Sequence, residues 1–384
     1  MQQMTLNPAN SGPAIPWRRA NVRHTSNELY VDIVETLCVT LAPSGRPLAA
    51  FANGSIAFTS KISGVPDLLL SLSVPGGRSA VDKVIELPVF HPCVRLARWK
   101  EKPGELSFVP PDGKFMIAGY EVNLLPSHSD LLSRSTKSLN LPATIEVSTS
   151  LGTTGSDFEV RLLLSNTFSG ASSSSTPLRS GLSSQGSGRS TPIFGGGGGG
   201  SSAAPILQDV TVTIPIPDVV RNITDLRASR GEAQFTPSDH AVEWRIPTKD
   251  AASAGSATLR CTVVGPMDDD DEEDAANGFR FDAANGEYDE REDAYQTSMS
   301  ESAKPTSTKE QQEQKDTRKI QHNVSLMPSS ASVSFSVKGW LASGIKVDGL
   351  VIDTRKSRGL GEGVKPYKGV KYLTVSKRGV ETRC

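Results

Sequence analysis

Residues Glu28 to Val39 read Glu-Leu-Tyr-Val-Asp-Ile-Val-Glu-Thr-Leu-Cys-Val, and this stretch decides the fold class. Apolar and β-branched residues alternate with polar ones in it, which is typical of a half-buried β-strand. A turn with Pro43 and Gly45 follows at Ala42 to Arg46. Because apolar sequence resumes at once from Leu48 to Phe58, the region predicts a β-hairpin.

The same pattern recurs along the chain in short runs that proline, glycine and other turn residues separate. Few segments show a helical period, so the many short strands predict an all-β sandwich. Further strands are predicted at Asp67–Val74, Val94–Trp99, Leu106–Val109, Lys114–Asn123, Ala143–Ser150, Phe158–Leu164, Val210–Pro217, Glu232–Phe235, Ala241–Ile246, Ser256–Val264, Ser332–Lys338, Lys346–Asp353 and Lys371–Ser376.

Two long segments interrupt the strand pattern. Residues 165–204 are mostly Ser and Gly and include six consecutive glycines, Gly195 to Gly200. Residues 267–323 begin with an acidic run and end in Glu, Gln and Lys. Neither composition buries enough apolar surface to offset the entropy of ordering, so both are predicted to be disordered insertions. No Lys-Ser or Lys-Thr follows the glycines, which argues against a nucleotide-binding loop.

The formal net charge of −1 hides an uneven distribution. Residues 268–293 contain thirteen acids against Arg280 and Arg291, a local charge of −11, which leaves +10 on the rest of the chain. Such a surplus favours acidic partners, for example membranes that carry phosphoinositides. A soluble surface with scattered Lys and Arg explains the surplus equally well.

The composition also bears on the compartment and on cofactors. No apolar run reaches the ~18 residues that a membrane-spanning helix needs, and the N-terminus lacks a basic patch followed by an apolar core. A cytosolic protein is therefore expected. The chain has no Cys-x-x-Cys pair, so neither a disulfide framework, a zinc site nor any cofactor is predicted. The four cysteines are Cys38, Cys93, Cys261 and Cys384.

The sequence offers little for catalysis. It contains no Gly-x-Ser-x-Gly, no His-Glu-x-x-His and no phosphate-binding loop. His91 and Cys93 could form a base and a thiol nucleophile, but packing is the competing interpretation for both. We therefore expect a binding protein and not an enzyme.

Six blocks of sequence, in this order, resemble the mu homology domain of clathrin-adaptor medium chains. Within that family, the Phe-His-Pro-Cys block and the Lys-Gly-Val-Lys-Tyr segment are similar to the mu subunit of the third adaptor complex. The blocks are Asn27–Asp32, Ser63–Asp67, Phe90–Arg95, Leu106–Phe115, Pro366–Tyr372 and Glu381–Cys384.

The resemblance implies an elongated two-part β-sandwich. Its outer part would comprise about residues 27–123 and 332–384, and its inserted part about 124–331. Residues 1–26 would be a flexible N-terminal segment. Members of the family also carry a small longin-type α/β domain before the sandwich. We expect that domain to be absent here, which leaves incorporation into a complex with other adaptor subunits open.

The resemblance also implies a function. Such domains bind Tyr-x-x-Φ sorting signals, where Φ is a bulky apolar residue, in the cytoplasmic tails of membrane proteins. The implied role is transport from the Golgi or endosomes to a vacuole or lysosome, peripheral on those membranes and on coated vesicles, without nucleic acid. The implied tyrosine site comprises Tyr30, Asp32, Thr59, Lys61 and Lys371. The implied Φ site comprises Leu29, Val31, Val347, Leu350, Lys368 and Val370, and the backbone of Val370 to Tyr372 would pair with the peptide.

The spacing of the two main residues fits this role, because positions two apart on a strand lie on one face. Without the resemblance, Tyr30 and Asp32 would be an ordinary half-buried strand pair. Thr59 stands where a relative has a basic residue, and Lys371 where the family has an arginine. A scaffold of the same fold that binds membranes or adaptors without reading tyrosine signals therefore stays an alternative.

Overall fold

The computed structural model describes residues 15–19, 21–125, 139–165, 168, 204–251, 254–266, 319–360 and 365–384. Most of the two predicted insertions, residues 169–203 and 267–318, therefore lies outside the described residues. So do residues 1–14 of the predicted flexible segment.

Short strands dominate the described part of the chain, as the alternating pattern predicts. They are β1 (Glu28–Leu41), β2 (Pro47–Lys61), β3 (Leu68–Ser73), β4 (Glu86–Phe90), β5 (Glu105–Phe108), β6 (Gly113–Asn123), β7 (Ala143–Leu151), β8 (Asp157–Leu164), β9 (Ile206–Pro215), β10 (Asn222–Ala228), β11 (Glu232–Thr236), β12 (Ala241–Ile246), β13 (Gly255–Val264), β14 (Ser330–Lys338), β15 (Lys346–Ile352) and β16 (Tyr367–Arg383). The helices are short: α1 (Val81–Val84), α2 (Leu96–Glu101) and α3 (Thr248–Ala251), with 3₁₀ turns at Arg78–Ala80 and Pro237–Asp239.

One long sheet runs through the whole sandwich. Its nine strands have the order β11-β12-β9-β14-β16-β1-β2-β6-β4. A three-stranded sheet, β15-β3-β5, and a four-stranded sheet, β10-β13-β8-β7, are the other two. β1 pairs in parallel with β16 on one side and antiparallel with β2 on the other. The first and last strands of the sandwich are therefore neighbours at the centre of the long sheet.

The buried residues form two separate cores, which confirms the two-part sandwich. The first core lies between β1, β2 and β6 of the long sheet and the three-stranded sheet, with Phe58 and Phe108 among its largest side chains. The second core lies between β9, β12 and β14 and the four-stranded sheet, and it contains Trp244 and Phe158. β14 contributes Val333 to the second core. The division at residues 123 and 332 stays a prediction.

Most predicted strands are present, with three differences. Val94–Trp99 was predicted as a strand and this is wrong: Leu96–Glu101 is helix α2, a run of good helix formers. β4 and β10 were not predicted; β4 contains Pro88, which weakens a strand pattern, and β10 is interrupted at Asp225, whose φ is 50°. Residues 319–325 are helical, and 319–323 of them lie inside the second predicted insertion.

Residues 15–19, within the segment 1–26 that is predicted to be flexible, contact the first core; for residues 1–26 as a whole, flexibility stays a prediction. Trp17 donates its indole N–H to the carbonyl of Val109 at 2.8 Å. Arg18 is only 5% exposed. Its guanidinium donates to the carbonyls of Gly64 (2.7 Å), Pro110 (3.0 Å) and Ile62 (2.5 Å). Arg18 therefore satisfies three carbonyls at the end of the first core, which holds residues 15–19 in place.

We expect Arg18→Ala to lower the free energy of unfolding by about 1–3 kcal/mol, because it leaves buried carbonyls without donors. Urea denaturation measures the change. The neighbouring Arg19 is exposed and is the matched control, since Arg19→Ala should stay within about 0.5 kcal/mol. Equal losses in the two variants would contradict the structural role of Arg18.

Candidate functional site

The strand pairing brings most of the predicted tyrosine site together on one face of the long sheet. Tyr30 lies opposite Thr59 of β2 and opposite Gly369 of β16. Asp32 lies opposite Lys371 of β16. Directly paired residues share a face of the sheet, so a ring, a carboxylate, a hydroxyl and an ammonium surround one spot. We name the surface formed by Tyr30, Asp32, Thr59 and Lys371 the polar recess.

A cation that the sequence did not point to lies beside the polar recess. Lys114 lies opposite Thr59 on β6, and its Nζ is 3.8 Å from Oδ2 of Asp32. The predicted Lys61 lies instead opposite Glu28, two residues along β1 from Tyr30. Lys114 belongs to one of the blocks that carry the resemblance, but only the register between β2 and β6 places it next to Asp32.

The polar side chains of this face form only weak, solvent-exposed ion pairs and hydrogen bonds with one another. The side chains of Lys114 and Asp32 are 66% and 31% exposed, and exposed ion pairs of this kind contribute about 0–1 kcal/mol. The Tyr30 hydroxyl donates to Oε2 of Glu28 at 3.1 Å, and this hydrogen bond raises the pKa of Tyr30. An incoming hydroxyl donor could therefore replace Lys114 at Asp32 at little cost.

Three of the predicted Φ residues, Leu29, Val31 and Val370, lie on the opposite face of β1 and β16. Leu29 and Val31 are fully buried in the first core. Val370, directly opposite Val31 on β16, is half-buried, as are Val347 and Leu350 of β15, and all three pack against that core. We name the surface formed by Val370, Val347 and Leu350 over Leu29 and Val31 the apolar recess.

A hydrogen bond joins the two strands that flank the apolar recess. The backbone N–H of Val347 on β15 donates to the hydroxyl of Tyr372 on β16 at 2.9 Å. Burial raises the pKa of Tyr372, so the hydroxyl stays protonated. β15 pairs otherwise with β3 alone among the described strands.

The predicted Lys368 lies at an irregularity of β16. Leu29 is opposite Tyr367 and Tyr30 is opposite Gly369, so Lys368 is the extra residue of a bulge between them. Gly369 has φ +132°, a conformation that residues with a side chain rarely adopt. No heavy atom lies within 4 Å of the position that a Cβ of Gly369 would take. The surface next to Tyr30 is therefore open at this point.

The backbone of β16 has one open side next to both recesses. Its pairing with β14 runs from Leu373, opposite Lys338, to Arg383. The N–H of Gly339, which follows β14, donates to the carbonyl of Tyr372 at 2.9 Å, and the pairing ends with this hydrogen bond. Before it, residues 367–371 pair only with β1 among the described strands. We name residues 367–371 the open edge; it begins three residues before the edge that the sequence predicted.

Comparison with known proteins agrees with this architecture. The family model of the adaptor complexes medium subunit family matches residues 15–384. The chain belongs to the adaptor complexes medium subunit family. Among the described residues, no helix of this medium subunit is long and apolar enough to cross a membrane.

Curated relatives from the third adaptor complex are similar over part of the chain. The AP-3 complex subunit mu-1 of Rattus norvegicus is 42% identical over 109 residues, which are 28% of this chain and 24% of the relative. The AP-3 complex subunit mu-2 of Homo sapiens is 38% identical over 116 residues, 30% of this chain and 26% of the relative. The matched stretch thus spans about a quarter of these relatives' length.

A likeness of fold extends further. A chain in a homology model of the full-length AP-3 complex in an intermediate open conformation superposes with a TM-score of 0.51 at 19% identity. The superposition covers 94% of this medium subunit and 69% of that chain. At this identity the likeness concerns the fold alone.

His91 and Cys93, the catalytic alternative, lie outside both recesses. Cys93 is buried, and burial raises the pKa of its thiol to about 12. Nδ1 of His91 accepts a hydrogen bond from the backbone N–H of Cys93 at 3.1 Å. These contacts favour packing over catalysis for both residues.

We expect an alkylating reagent at pH 8 to modify Cys38, which is exposed, and to leave Cys93 unmodified until the protein unfolds. The thiolate is the reactive species, and a pKa of about 12 leaves almost none of it in Cys93. Mass spectrometry of the labelled peptides measures both rates. If Cys93 in the folded protein is modified as fast as Cys38, the result would support Cys93 as a nucleophile.

Proposed function

We propose that this medium subunit is the cargo-recognition part of a vesicle coat adaptor and binds Tyr-x-x-Φ signals as an added strand on β16. One observation carries the proposal: the open edge, residues 367–371, has the polar recess on one face of the sheet and the apolar recess on the other. Strand addition supplies backbone hydrogen bonds for affinity, and side-chain recesses supply specificity.

The spacing of the signal fits the two faces. Successive side chains of an extended chain point to opposite faces, so positions three residues apart also lie on opposite faces. A signal tyrosine over Tyr30 and Asp32 therefore places its Φ residue on the side of Val31 and Val370. A signal with one or three residues between the anchors would put both on one face.

The chemistry of the polar recess matches a phenol. The carboxylate of Asp32 can accept the phenolic O–H, and the ring of Tyr30 offers an apolar face. The stem of Lys371 can cover the signal ring, though it lacks the planar guanidinium that stacks on an aromatic face. Lys114, whose Nζ is 3.8 Å from Oδ2 of Asp32, is the ion-pair partner of this carboxylate before the ligand arrives.

The cellular role that we propose follows the relatives. The matched curated proteins are subunits of the AP-3 complex, so we propose that other adaptor subunits are partners. We further propose a peripheral location on Golgi or endosomal membranes and vesicles, with cargo moving to a vacuole or lysosome. Phosphoinositides are the membrane ligands that the basic surplus favours.

Asp32→Ala should weaken binding of a Tyr-x-x-Leu peptide at least about tenfold, because the phenolic hydroxyl loses its acceptor. Calorimetry with that peptide and with an Ala-x-x-Leu peptide measures the change. Asp225→Ala, at an exposed site in β10, is the matched control and should bind normally. Unchanged affinity of the Asp32→Ala variant for the tyrosine peptide would contradict the proposal that the polar recess binds the signal tyrosine.

The same titration separates the two candidate functions. A wild-type protein that binds neither peptide would favour the scaffold alternative, because the fold would then be present without signal reading. Selective binding of the tyrosine peptide supports cargo recognition.

Phosphorylation of the signal tyrosine should abolish binding. A phosphate brings about two negative charges next to Asp32 and replaces a donor by acceptors. Calorimetry with paired plain and phosphorylated peptides measures the loss, and the penalty should shrink in Asp32→Ala, where one repulsive charge is gone. Equal affinity of the wild type for both peptides would contradict the assignment of Asp32 as acceptor.

A further inference from the structure

A buried carboxylate lies on the same strand as the polar recess. Glu35 of β1 is 0% exposed. It accepts the hydroxyl of Tyr120 at 2.8 Å and the backbone N–H of Ser343 at 3.0 Å, as well as the Ser343 hydroxyl. The N–H of Ala342 is a fourth donor. All these donors are hydroxyls or backbone amides and none is a cation.

A glycine on β2 provides the space that this hydrogen-bond network needs. Glu35, Gly54 and Tyr120 lie in one row across β1, β2 and β6. A Cβ on Gly54 would lie 2.0 Å from Cζ of Tyr120, so only glycine lets the tyrosine ring cross β2 and reach Glu35. Burial and the Glu35 carboxyl raise the pKa of Tyr120, which keeps its hydroxyl protonated as a donor.

The loop that Glu35 holds connects β14 to β15. Trp340, at its start, packs in the second core, whereas Leu341 and Ile345 pack in the first. Thr374 of β16, directly opposite Glu35, donates its hydroxyl to the carbonyl of Trp340 at 2.9 Å. The loop therefore passes from the second core to the first, and side chains of β1 and β16 hold it by hydrogen bonds.

The loop leads straight into the flank of the apolar recess. The N–H of Ile345 donates to the hydroxyl of Ser343 at 3.1 Å, and Val347, two residues on, lines the recess and donates to Tyr372. The contacts thus run from Glu35 through Ser343 to the first residues of β15.

We propose that Glu35 is a positioning residue, which fixes the loop 341–345 and the start of β15 and so sets the width of the apolar recess. The part that concerns signal binding rests on the proposed function. Any buried carboxylate needs hydrogen-bond donors, but here three of the four donors lie on one loop. They are the amides of Ala342 and Ser343 and the Ser343 hydroxyl, which precede β15, and the fourth is the Tyr120 hydroxyl.

The test compares Glu35→Gln in the full chain with two other variants. Glutamine keeps the shape but presents an NH₂ group to donors, so part of the network is lost. Ser343→Ala removes one hydroxyl and leaves the carboxylate, and it serves if Glu35→Gln does not fold. Leu259→Ala, at a fully buried site of β13 in the second core, is the control for a general loss of stability.

Two measurements test whether Glu35 positions the loop 341–345 and the start of β15. In the absence of peptide, amide hydrogen exchange of residues 342–347 should rise about tenfold in Glu35→Gln, because these amides lose their acceptors or their support. With peptides, discrimination between Tyr-x-x-Leu and Tyr-x-x-Ala should fall severalfold, while discrimination between Tyr-x-x-Leu and Ala-x-x-Leu stays at the wild-type ratio. Ser343→Ala should show smaller changes in the same direction, and Leu259→Ala neither.

Wild-type exchange rates at 342–347 in Glu35→Gln and Ser343→Ala would overturn the proposal. So would a parallel loss of both peptide discriminations, or the same pattern in Leu259→Ala. A wild-type protein that binds no peptide would refute the proposed function instead, and hydrogen exchange alone would then decide whether Glu35 positions the loop.

Discussion

The parallel pairing of β1 with β16 is the interaction on which the other features depend. It joins the first and last strands of the sandwich at the centre of the long sheet. It also sets Asp32 beside Lys371 and Val31 beside Val370. A shift of β16 by one residue would move Lys371 and Val370 to the opposite faces while Asp32 and Val31 kept theirs, so the register of this one pair determines both recesses.

The open edge exists because β16 changes partners along its length. β14 covers β16 from Leu373 onward, and the loop after β14 turns away toward β15. In that turn the backbone passes from the second core to the first. Hydrogen bonds with the side chains of Glu35 and Thr374 hold the turn in place. The loop that joins the two cores therefore also leaves residues 367–371 of β16 with β1 as their only partner among the described strands.

Much of this could be predicted from the sequence. Alternating patterns predicted nearly all strands because side chains in a sandwich divide into inner and outer sets. The family resemblance pointed to Tyr30 and Asp32, whose role in binding stays a prediction. α2 was missed because Val94 to Trp99 is apolar enough to resemble a strand. Lys114 was missed because its position depends on the β2–β6 register, a contact between segments that are distant in sequence.

The buried network was equally hard to foresee. A glutamate in a strand is normally exposed. The alternation of Ile33 and Leu37 places Glu35 on the inner face, but the sequence does not show which groups satisfy its carboxylate. Its partners Tyr120 and Ser343 lie 85 and 308 residues away. Gly54 provides the space that the Tyr120 ring occupies.

A crystal structure of this medium subunit with a Tyr-x-x-Leu peptide tests the central claim most directly. The peptide backbone should lie along residues 367–371 as an added strand, with its tyrosine over Tyr30 and Asp32 and its leucine against Val370. A peptide bound at another edge of the sandwich, such as β4 or β11, would contradict the account even if its affinity were high.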